Sequence, residues 1–438
     1  MGAMQFARIV VLLVILSAAA GLPALQAPSA LAGIVTAGAD TLTYKVEPGD
    51  TILGICAAVR DRTGHYALED LREDIRLANG LRNHHLSVGQ ILAIPVAGPD
   101  PGPRVALPVA GGAEPRGIYI SGPAAGVSTV LQRIDRFVEA GGNAVVLDAK
   151  DIDGILTYRS AAAAPRKGPG PYVPSLPRLL DRLGEQDLYR IARLAVFLDG
   201  DLGARRPDLA LADPAGEPWR ERGCVWMDPA EAEVRSYNLA LVAELARAGF
   251  EEIQLDYIRY PTNGWRGDWT GSLEGTAALR RAHISRFVAA ARDTAARYGS
   301  RLSVALFGVM AWGRTADLAL TGQDVRVLAA CADVICPMVY PSHFGPGFGG
   351  YADPAENPEG IVGEAVLRFR ELAGPGTEIR PWLQSFAFGV RDFGPEYVGR
   401  QVTASRLSGG DGWCFWNPAC RYEVLAEHLQ GKIAMASP

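Results

Sequence analysis

The chain has 438 residues, of which 48% are hydrophobic and 21% are charged, and its formal net charge at pH 7 is −5. This length exceeds that of a typical single domain, so two folded units joined by a linker are expected. The small net charge and the lack of a block of lysines and arginines in the sequence argue against nucleic acid as a partner.

The amino-terminal segment has a short basic start at Arg8, an apolar run from Ile9 to Leu16 and small residues after it. This order is typical of a secretory signal peptide, which we assign to residues 1–32. An uncleaved membrane anchor is the alternative, but the run is shorter than the roughly 20 apolar residues that span a bilayer. We therefore expect a secreted, periplasmic or cell-wall-associated protein without a stable membrane span after signal cleavage.

Residues 43–96 form a compact unit in which two alternating strands flank helical segments. The unit contains Pro48-Gly49-Asp50-Thr51, Asn79-Gly80-Leu81 and Val88-Gly89-Gln90-Ile91-Leu92-Ala93-Ile94-Pro95, with a long middle around residues 60–65. These motifs resemble the LysM (lysin motif) domain. The resemblance implies a small α+β module that binds peptidoglycan or another polysaccharide containing N-acetylglucosamine.

The remainder of the chain shows the pattern of a parallel α/β sheet. Residues 97–116 are rich in Pro and Gly and predict a semi-extended linker, and short apolar strands then alternate with amphipathic helices over residues 117–430. Eight strands are predicted to end near Ser121, Asp148, Asp199, Asp256, Phe307, Tyr340, Gln384 and Trp416. We therefore predict an α/β fold, a (β/α)8 TIM barrel preceded by the small module. A doubly wound sheet is the rival, but no Gly-rich phosphate turn follows the first strand.

The most informative strand runs from Ile253 to Asp256 and stops before Pro261. Strand alternation places Gln254 and Asp256 on one face, which in a barrel points inward near the carboxyl end. Barrel enzymes keep their chemistry at that end, so Asp256 is the first catalytic candidate. A carboxylate that only caps a turn is the alternative.

Further carboxylates follow the neighbouring strands. Glycoside hydrolysis requires one carboxyl group to protonate the leaving oxygen and another to attack or to activate water. Asp148 and Asp199 are therefore added to Asp256 as catalytic candidates, and we expect Lys150 to keep Asp148 ionised. A structural ion-pair network at the rim is the alternative. Candidates for substrate contact at these strand ends are Lys150, Asp151, Tyr257 and Arg259.

Aromatic and amide side chains recur at the later strand ends. Sugar rings present apolar faces that stack on aromatic side chains, and amides can bond to their hydroxyl groups. The candidates for substrate binding of this kind are Trp312, Tyr340, His343, Trp382, Gln384, Trp416 and Asn417.

Other chemistries are disfavoured. The six histidines are scattered and no His-Glu-x-x-His or Cys-x-x-Cys motif occurs, so neither a metal site nor a cofactor is expected. The run from Gly345 to Gly350 has glycine spacing like that of a nucleotide site, but we interpret it as a mobile loop over the barrel mouth. Export would permit disulfides at the close pairs Cys331/Cys336 and Cys414/Cys420, although buried thiols are equally consistent with the sequence.

Taken as a set, the barrel motifs resemble a family of bacterial glycosyl hydrolase domains, (β/α)8 barrels distantly related to α-amylase-type enzymes. The resemblance spans about residues 117–425 and is carried by the Asp256 strand and by the segments 143–151, 191–197, 337–343, 381–384 and 416–418. One departure is Ala305, which stands where the family has an acidic residue two positions before Phe-Gly. If that acid is the proton donor, its role here falls to Asp148, Asp151 or Asp199.

Two hypotheses follow. The first is an exported cell-wall glycoside hydrolase that the LysM module tethers to its polymer, with Asp256 and a second Asp cleaving the bond. The alternative is a non-catalytic carbohydrate-binding or scaffold protein whose barrel has lost its acid at Ala305. The separation of the carboxyl groups in the folded chain discriminates between them.

Overall fold

The computed structural model describes residues 34–37, 41–63, 68–96, 114–163, 171–213, 215–262 and 277–436. The predicted signal peptide and residues 97–113 of the predicted linker lie outside these ranges. Within them, no helix has both the length and the apolar character that crossing a membrane requires.

The amino-terminal unit is a three-stranded antiparallel sheet in the order β1-β2-β3 packed with two helices. Its elements are β1 (Ile34–Ala37), β2 (Thr41–Lys45), α1 (Ile52–Thr63), α2 (Leu68–Ala78) and β3 (Ile91–Pro95). Alternation in β2 and β3 buries Leu42, Tyr44, Leu92 and Ile94 against the apolar faces of the helices. Thr51 caps α1, since its Oγ1 accepts a hydrogen bond from Gly54 N at 3.0 Å.

The strands of the larger unit close into a barrel. They are β4 (Arg116–Ile120), β5 (Ala144–Lys150), β6 (Tyr189–Ala195), β7 (Arg220–Glu221), β8 (Cys224–Val225), β9 (Glu252–Asp256), β10 (Arg301–Phe307), β11 (Val334–Met338), β12 (Glu378–Ile379), β13 (Trp382–Gln384) and β14 (Trp413–Trp416). β7 and β8 form a separate hairpin, whereas the others pair in parallel and β10 bonds to both β9 and β11. β12 and β13 both pair with β11, so together they fill one strand position of the barrel. The described residues therefore give eight strand positions, and the TIM-barrel prediction is confirmed.

Helices surround the barrel. They are α3 (Gly122–Ala125), α4 (Thr129–Glu139), α5 (Leu176–Gly184), α6 (Gly200–Arg205), α7 (Ala232–Ala248), α8 (Ala277–Ala296), α9 (Thr315–Thr321), α10 (Val325–Cys331), α11 (Pro358–Ala373), α12 (Pro395–Leu407) and α13 (Glu423–Ala436). Their buried faces and the outward faces of the strands form one continuous apolar core. The outer layer therefore fixes the strands, and several of the inward positions carry polar side chains.

The barrel interior is polar and ordered in levels. At the level of Glu252, Arg380 donates to the Glu252 carboxylate at 2.9 Å, and both side chains are fully buried. One level higher, the Gln254 side chain accepts a hydrogen bond from Trp382 Nε1 at 3.1 Å. Asp256 is the next inward residue, as strand alternation predicts, so the interior leads up to the carboxyl-end mouth.

None of the six cysteines, all within the described residues, forms a disulfide. Cys336 and Cys414 are buried in the larger unit, and burial raises the pKa of both thiols. The close pairs in sequence are therefore buried or half-buried thiols, the second of the two possibilities that the sequence left open.

Candidate active site

Arg193 lies between two carboxylates at the barrel mouth. Its Nη1 donates to Asp148 Oδ1 at 2.6 Å, and its Nη2 and Nε donate to Asp256 Oδ2 at 2.8 and 3.1 Å. The three residues stand on adjacent strands, because Asp148 pairs with Arg193 and Ala195 pairs with Asp256 in the strand registers. One guanidinium therefore holds Asp148 and Asp256 in the same site.

The shared guanidinium limits the distance between the two carboxylates. Oxygens bonded to different nitrogens of one guanidinium lie within about 8 Å of each other, a range that includes the separations of both retaining and inverting glycosidases. Asp148 and Asp256 are thus close enough to belong to one site, and the contacts of the individual groups decide what each can do.

Asp148 is nearly enclosed. Its second oxygen, Oδ2, accepts a hydrogen bond from the Tyr119 hydroxyl at 2.7 Å, and the residue is 5% exposed. Burial raises the pKa of Asp148, because the loss of hydration outweighs the opposing effects of Arg193 and Tyr119. This side chain orients Arg193 and has little surface left for a ligand.

Asp256 is held by its own backbone turn as well as by Arg193. Asp256 Oδ1 accepts a hydrogen bond from Tyr257 N at 2.7 Å, and Tyr257 has a left-handed backbone with φ of 54°. Non-glycine residues rarely adopt this conformation, so the backbone directly after Asp256 is strained. The Tyr257 ring lies near Trp226, with 6.1 Å between the ring centroids, and is flanked by the guanidinium groups of Arg193 and Arg259.

Asp151 follows β5 and differs from the other two carboxyl groups. Its Oδ1 accepts a hydrogen bond from Ile155 N at 2.9 Å, and the backbone of Asp153 also donates to this carboxylate. Burial raises the pKa of Asp151 to about 6, with smaller contributions from the negative charges of Asp148 and Asp153. A carboxyl group with this pKa is partly protonated near neutral pH, as a proton donor requires.

Lys150 and Asp199 lie in a different place from the one we expected. A register shift between Asp148 and Lys150 breaks the strand alternation, so Lys150 does not share a face with Asp148. Lys150 Nζ instead donates to Asp199 Oδ2 at 2.7 Å and to Asn238 Oδ1 at 3.0 Å, and all three side chains are buried. Arg193, and not Lys150, supplies the positive charge beside Asp148.

Asp199 is also displaced from the strand end where we placed it. The third barrel strand ends at Ala195, and Asp199 Oδ1 caps α6 by accepting a hydrogen bond from Leu202 N at 2.7 Å. Its other oxygen is bonded to Lys150, and the residue is fully buried. These contacts bind α6 to β5 and leave Asp199 outside the group formed by Arg193.

Four of the ring-bearing candidates lie at two depths: Tyr340, His343 and Trp416 at the mouth, and Trp382 below them. Tyr340 packs against Trp416 and His343, with ring centroids 5.7 and 5.2 Å away. Trp382 lies deeper, 6.4 Å from the Tyr119 ring, and its indole N–H bonds to Gln254.

The candidates Trp312, Gln384 and Asn417 contact neighbouring rings and backbone groups. Trp312 packs against Phe344 and Phe348, with ring centroids 5.8 and 4.5 Å away. Gln384 Oε1 accepts from Ser342 N at 3.1 Å, and Asn417 Oδ1 accepts from Ala419 N at 2.9 Å, so both amides hold backbone turns.

Arg259 is buried beside the mouth. Its guanidinium lies 4.6 Å from the rings of both Trp226 and Phe307 and donates to Tyr260 O at 3.0 Å. Burial lowers the pKa of Arg259, because Glu221, at 3.7 Å, compensates only part of the lost hydration. Its main contacts are therefore with the rings of Trp226 and Phe307.

Two family models match the chain. A domain described as "Putative glycosyl hydrolase domain" matches residues 117–422, and the LysM domain matches residues 44–95. The chain belongs to this glycosyl hydrolase domain family. Both resemblances inferred from the motifs are confirmed. No curated protein matches the chain.

Several solved structures are similar to this chain. The glycoside hydrolase domain of PgaB (BpsB) from Bordetella bronchiseptica is 15% identical, covers 73% of this chain and 98% of its own, and has a TM-score of 0.55. A β-galactosidase from Marinomonas ef1 is 12% identical, with coverages of 73% and 59% and a TM-score of 0.54. A hypothetical protein from Ruminiclostridium thermocellum is 28% identical over 43% of this chain and 96% of its own, with a TM-score of 0.37.

The departure at position 305 lies beside the site. Ser303 pairs with Gln254 across β10 and β9, and its Oγ accepts a hydrogen bond from the inward Gln254 side chain at 3.4 Å. By alternation Ala305 also faces inward, at the level of Asp256, and it is 1% exposed. In this barrel β10 contributes no carboxylate next to Asp256, so any proton donor must come from another strand.

Sequence reasoning missed Arg193 and Tyr119. Arg193 stands in the run Ile191-Ala192-Arg193-Leu194, where a charge lies between apolar residues. Such a charge is expected to be buried only when it is paired, so it was itself a signal that carboxylates would meet it. Tyr119 carries no comparable signal, since an aromatic residue in a strand is ordinary core.

Proposed function

We propose that this protein is an exported, wall-associated glycoside hydrolase whose barrel cleaves a glycosidic bond in a polymer that the LysM domain holds. The observation that carries the proposal is the meeting of Asp148 and Asp256 on Arg193, at the mouth of a barrel of the glycosyl hydrolase domain family. Asp151, with its pKa of about 6, supplies the third carboxyl group.

The three carboxyl groups have different roles in this mechanism. Asp256 attacks the anomeric carbon or activates the water that does, and Arg193 and the Tyr257 amide fix its orientation. Asp151 protonates the leaving oxygen, for which it has the pKa. Asp148 is a positioning residue that acts through Arg193. The mechanism has no step for Asp199, which we had listed as a catalytic candidate.

The LysM domain provides the substrate at high local concentration. LysM domains bind polymers that contain N-acetylglucosamine, and covalent linkage makes the encounter between barrel and polymer intramolecular. The predicted signal peptide and the wall ligand together support an extracellular or cell-wall location. Peptidoglycan or a chitin-like polymer is therefore the proposed partner.

A second function is favoured by one observation. Ala305 leaves β10 without a carboxylate, which supports a barrel that binds carbohydrate and does not cleave it. The two proposals differ in their products: only a hydrolase releases new reducing ends.

A product screen tests the proposed function. The purified full chain is incubated with peptidoglycan, chitin oligomers and α-glucans, and new reducing ends are measured by mass spectrometry and a reducing-sugar assay. Release by the wild type and none by Asp256→Asn is the expected result. Binding to a polymer without any release from it would instead establish the carbohydrate-binding alternative.

A further inference from the structure

Three hydrogen-bond donors at the barrel mouth lack a partner in the described ranges. They are the hydroxyl groups of Tyr257 and Tyr340 and the indole N–H of Trp416. Tyr340 is only 8% exposed, yet its hydroxyl is not enclosed and reaches the open mouth. Donors that are open to the mouth and bonded to no described residue can bond to a ligand that supplies acceptors.

The walls around these donors are aromatic. The Phe386 ring lies 5.9 Å from Tyr340 and 5.3 Å from Trp416, and His343 closes the cluster at 5.2 Å from Tyr340. Burial lowers the pKa of His343 to about 4, so the imidazole is neutral at pH 7. We call Tyr340, His343, Phe386 and Trp416 the aromatic pocket; its side chains carry no charge at neutral pH.

The aromatic pocket adjoins the reacting carboxylate. Asp256 and Trp416 are the last residues of β9 and β14, and Tyr340 and Phe386 follow β11 and β13, so all four stand at the carboxyl end of the barrel. A group bound in the pocket therefore belongs to a glycan that lies at the same end of the barrel as Asp256.

We infer that the aromatic pocket binds the acetamido group of an N-acetylated amino sugar, an inference that rests on the proposed function in taking the ligand to be a glycan. An acetamido group has an apolar methyl that packs on aromatic faces and a carbonyl oxygen that accepts hydrogen bonds. The Trp416 N–H is a donor only, and the Tyr340 hydroxyl can donate to the same oxygen. A hydroxyl group at this position lacks the methyl, and an ammonium group has no acceptor to offer Trp416.

Tryptophan fluorescence reports on this pocket in the intact protein. All 8 tryptophans lie between residues 219 and 416, and the LysM domain at 44–95 has none. A change in emission therefore reports binding at the barrel, even when the same oligosaccharide also occupies the LysM domain.

The experiment titrates the full chain with three tetrasaccharides: the N-acetylglucosamine tetramer, its de-N-acetylated counterpart and a β-linked glucose tetramer. An Asp256→Asn background prevents turnover, and pH 8 keeps most glucosamine amines uncharged. The N-acetylated tetramer is expected to bind at least about tenfold more tightly than the other two. Tyr340→Phe, which removes one hydroxyl and keeps the ring, is expected to weaken that binding by about fivefold or more.

Tyr397→Phe is the matched control, because the Tyr397 hydroxyl is buried, likewise unpartnered and packed against Phe393. It should leave the affinity unchanged. Equal affinity for the three tetramers, or an unchanged affinity in Tyr340→Phe, would overturn the inference. Binding with the predicted preference but no hydrolysis by the wild type removes the proposed function alone, and hydrolysis without the preference removes only the acetamido subsite.

Discussion

Asp256 stands at a strand end, and contacts fix both of its oxygens. Asparagine has nearly the same volume as aspartate, so Asp256→Asn removes the charge with little change in packing. We predict that Asp256→Asn lowers kcat/KM by more than about a hundredfold, since a catalytic carboxylate supplies several kcal/mol and each 1.36 kcal/mol is about tenfold in rate. Its thermal unfolding should stay within a few degrees of that of the wild type.

Asp208→Asn is the matched control for Asp256→Asn, because Asp208 is an exposed carboxylate paired with Arg206 on the surface. Its activity is expected to equal that of the wild type. If Asp256→Asn instead unfolds at a much lower temperature and its folded fraction remains active, Asp256 is a structural turn residue.

Asp151 gives the reaction its pH dependence. A proton donor works in its protonated form, so kcat/KM is expected to fall about tenfold per unit as the pH rises above about 6, the pKa of Asp151 in the folded chain. Asp151→Asn should lose this limb of the profile and most of its activity on natural glycans. It should keep activity on aryl glycosides with acidic leaving groups, which need no proton, whereas Asp256→Asn should lose both.

The same carboxyl group affects stability in a definite direction. Folding raises the pKa of Asp151 from 3.8 to about 6, so the folded chain binds this proton more tightly than the unfolded chain. Its stabilising contribution is complete below pH 3.8 and is lost as the pH rises through about 6. Comparing the pH dependence of the unfolding free energy in the wild type and Asp151→Asn measures this contribution without any substrate.

The catalytic candidates illustrate what a sequence can reveal at the scale of residues. Asp148 and Asp256 were predicted from strand ends, and the structure brings them together on Arg193. Arg193 itself was passed over because its strand was interpreted by its apolar neighbours. Which of several carboxylates is desolvated depends on contacts between segments far apart in the chain, and no local pattern records these.

At the scale of elements, the buried pair of Lys150 and Asp199 joins β5 to α6. Removing one member of a buried ion pair leaves an uncompensated charge and commonly costs about 3–5 kcal/mol. We therefore predict that Lys150→Met unfolds at a clearly lower temperature, while the molecules that remain folded keep the wild-type kcat/KM.

The double variant Lys150→Met/Asp199→Asn tests this account of the pair. Asparagine can still cap α6 but carries no charge, so the double variant should recover part of the stability that Lys150→Met loses. A large loss of activity in correctly folded Lys150→Met would show that Lys150 contributes to the site directly.

The strands themselves were predictable because their signals are local. Each of the eight predicted strands has a counterpart in the barrel, although the third ends at Ala195 and not near Asp199. The bulge at Asp148 and Lys150 was not predictable, since alternation is the only rule that a strand sequence offers. Because of that bulge, Lys150 bonds to Asp199 and Asn238 and does not lie in the predicted site.

At the scale of the whole molecule, the LysM domain is expected to carry most of the affinity for insoluble polymer. We predict that the full chain sediments with peptidoglycan or chitin and that a chain starting at residue 114 sediments much less. Residues 33–100 alone should sediment as the full chain does. Equal sedimentation of both fragments, or none by residues 33–100, would contradict the tethering proposal.

The order of the two domains was readable from sequence because each domain carries motifs of its own. The LysM motifs lie within about 50 residues, where short-range spacing is diagnostic, and the matched segment 44–95 agrees with them. The barrel required the repeated strand pattern in addition, since its motifs are spread over residues 117–422. Substrate identity could not be read in the same way, because it depends on side chains from several strands.

The left-handed backbone at Tyr257 sets strain against packing at a single position. A residue with φ of 54° is strained by roughly 1–2 kcal/mol, and glycine adopts this backbone without that strain. Glycine would also remove the ring that lies near Trp226 and is flanked by the guanidinium groups of Arg193 and Arg259, and deleting a packed aromatic side chain costs about 3–5 kcal/mol. The loss of packing outweighs the relief of strain, so Tyr257→Gly is expected to unfold at a lower temperature than the wild type.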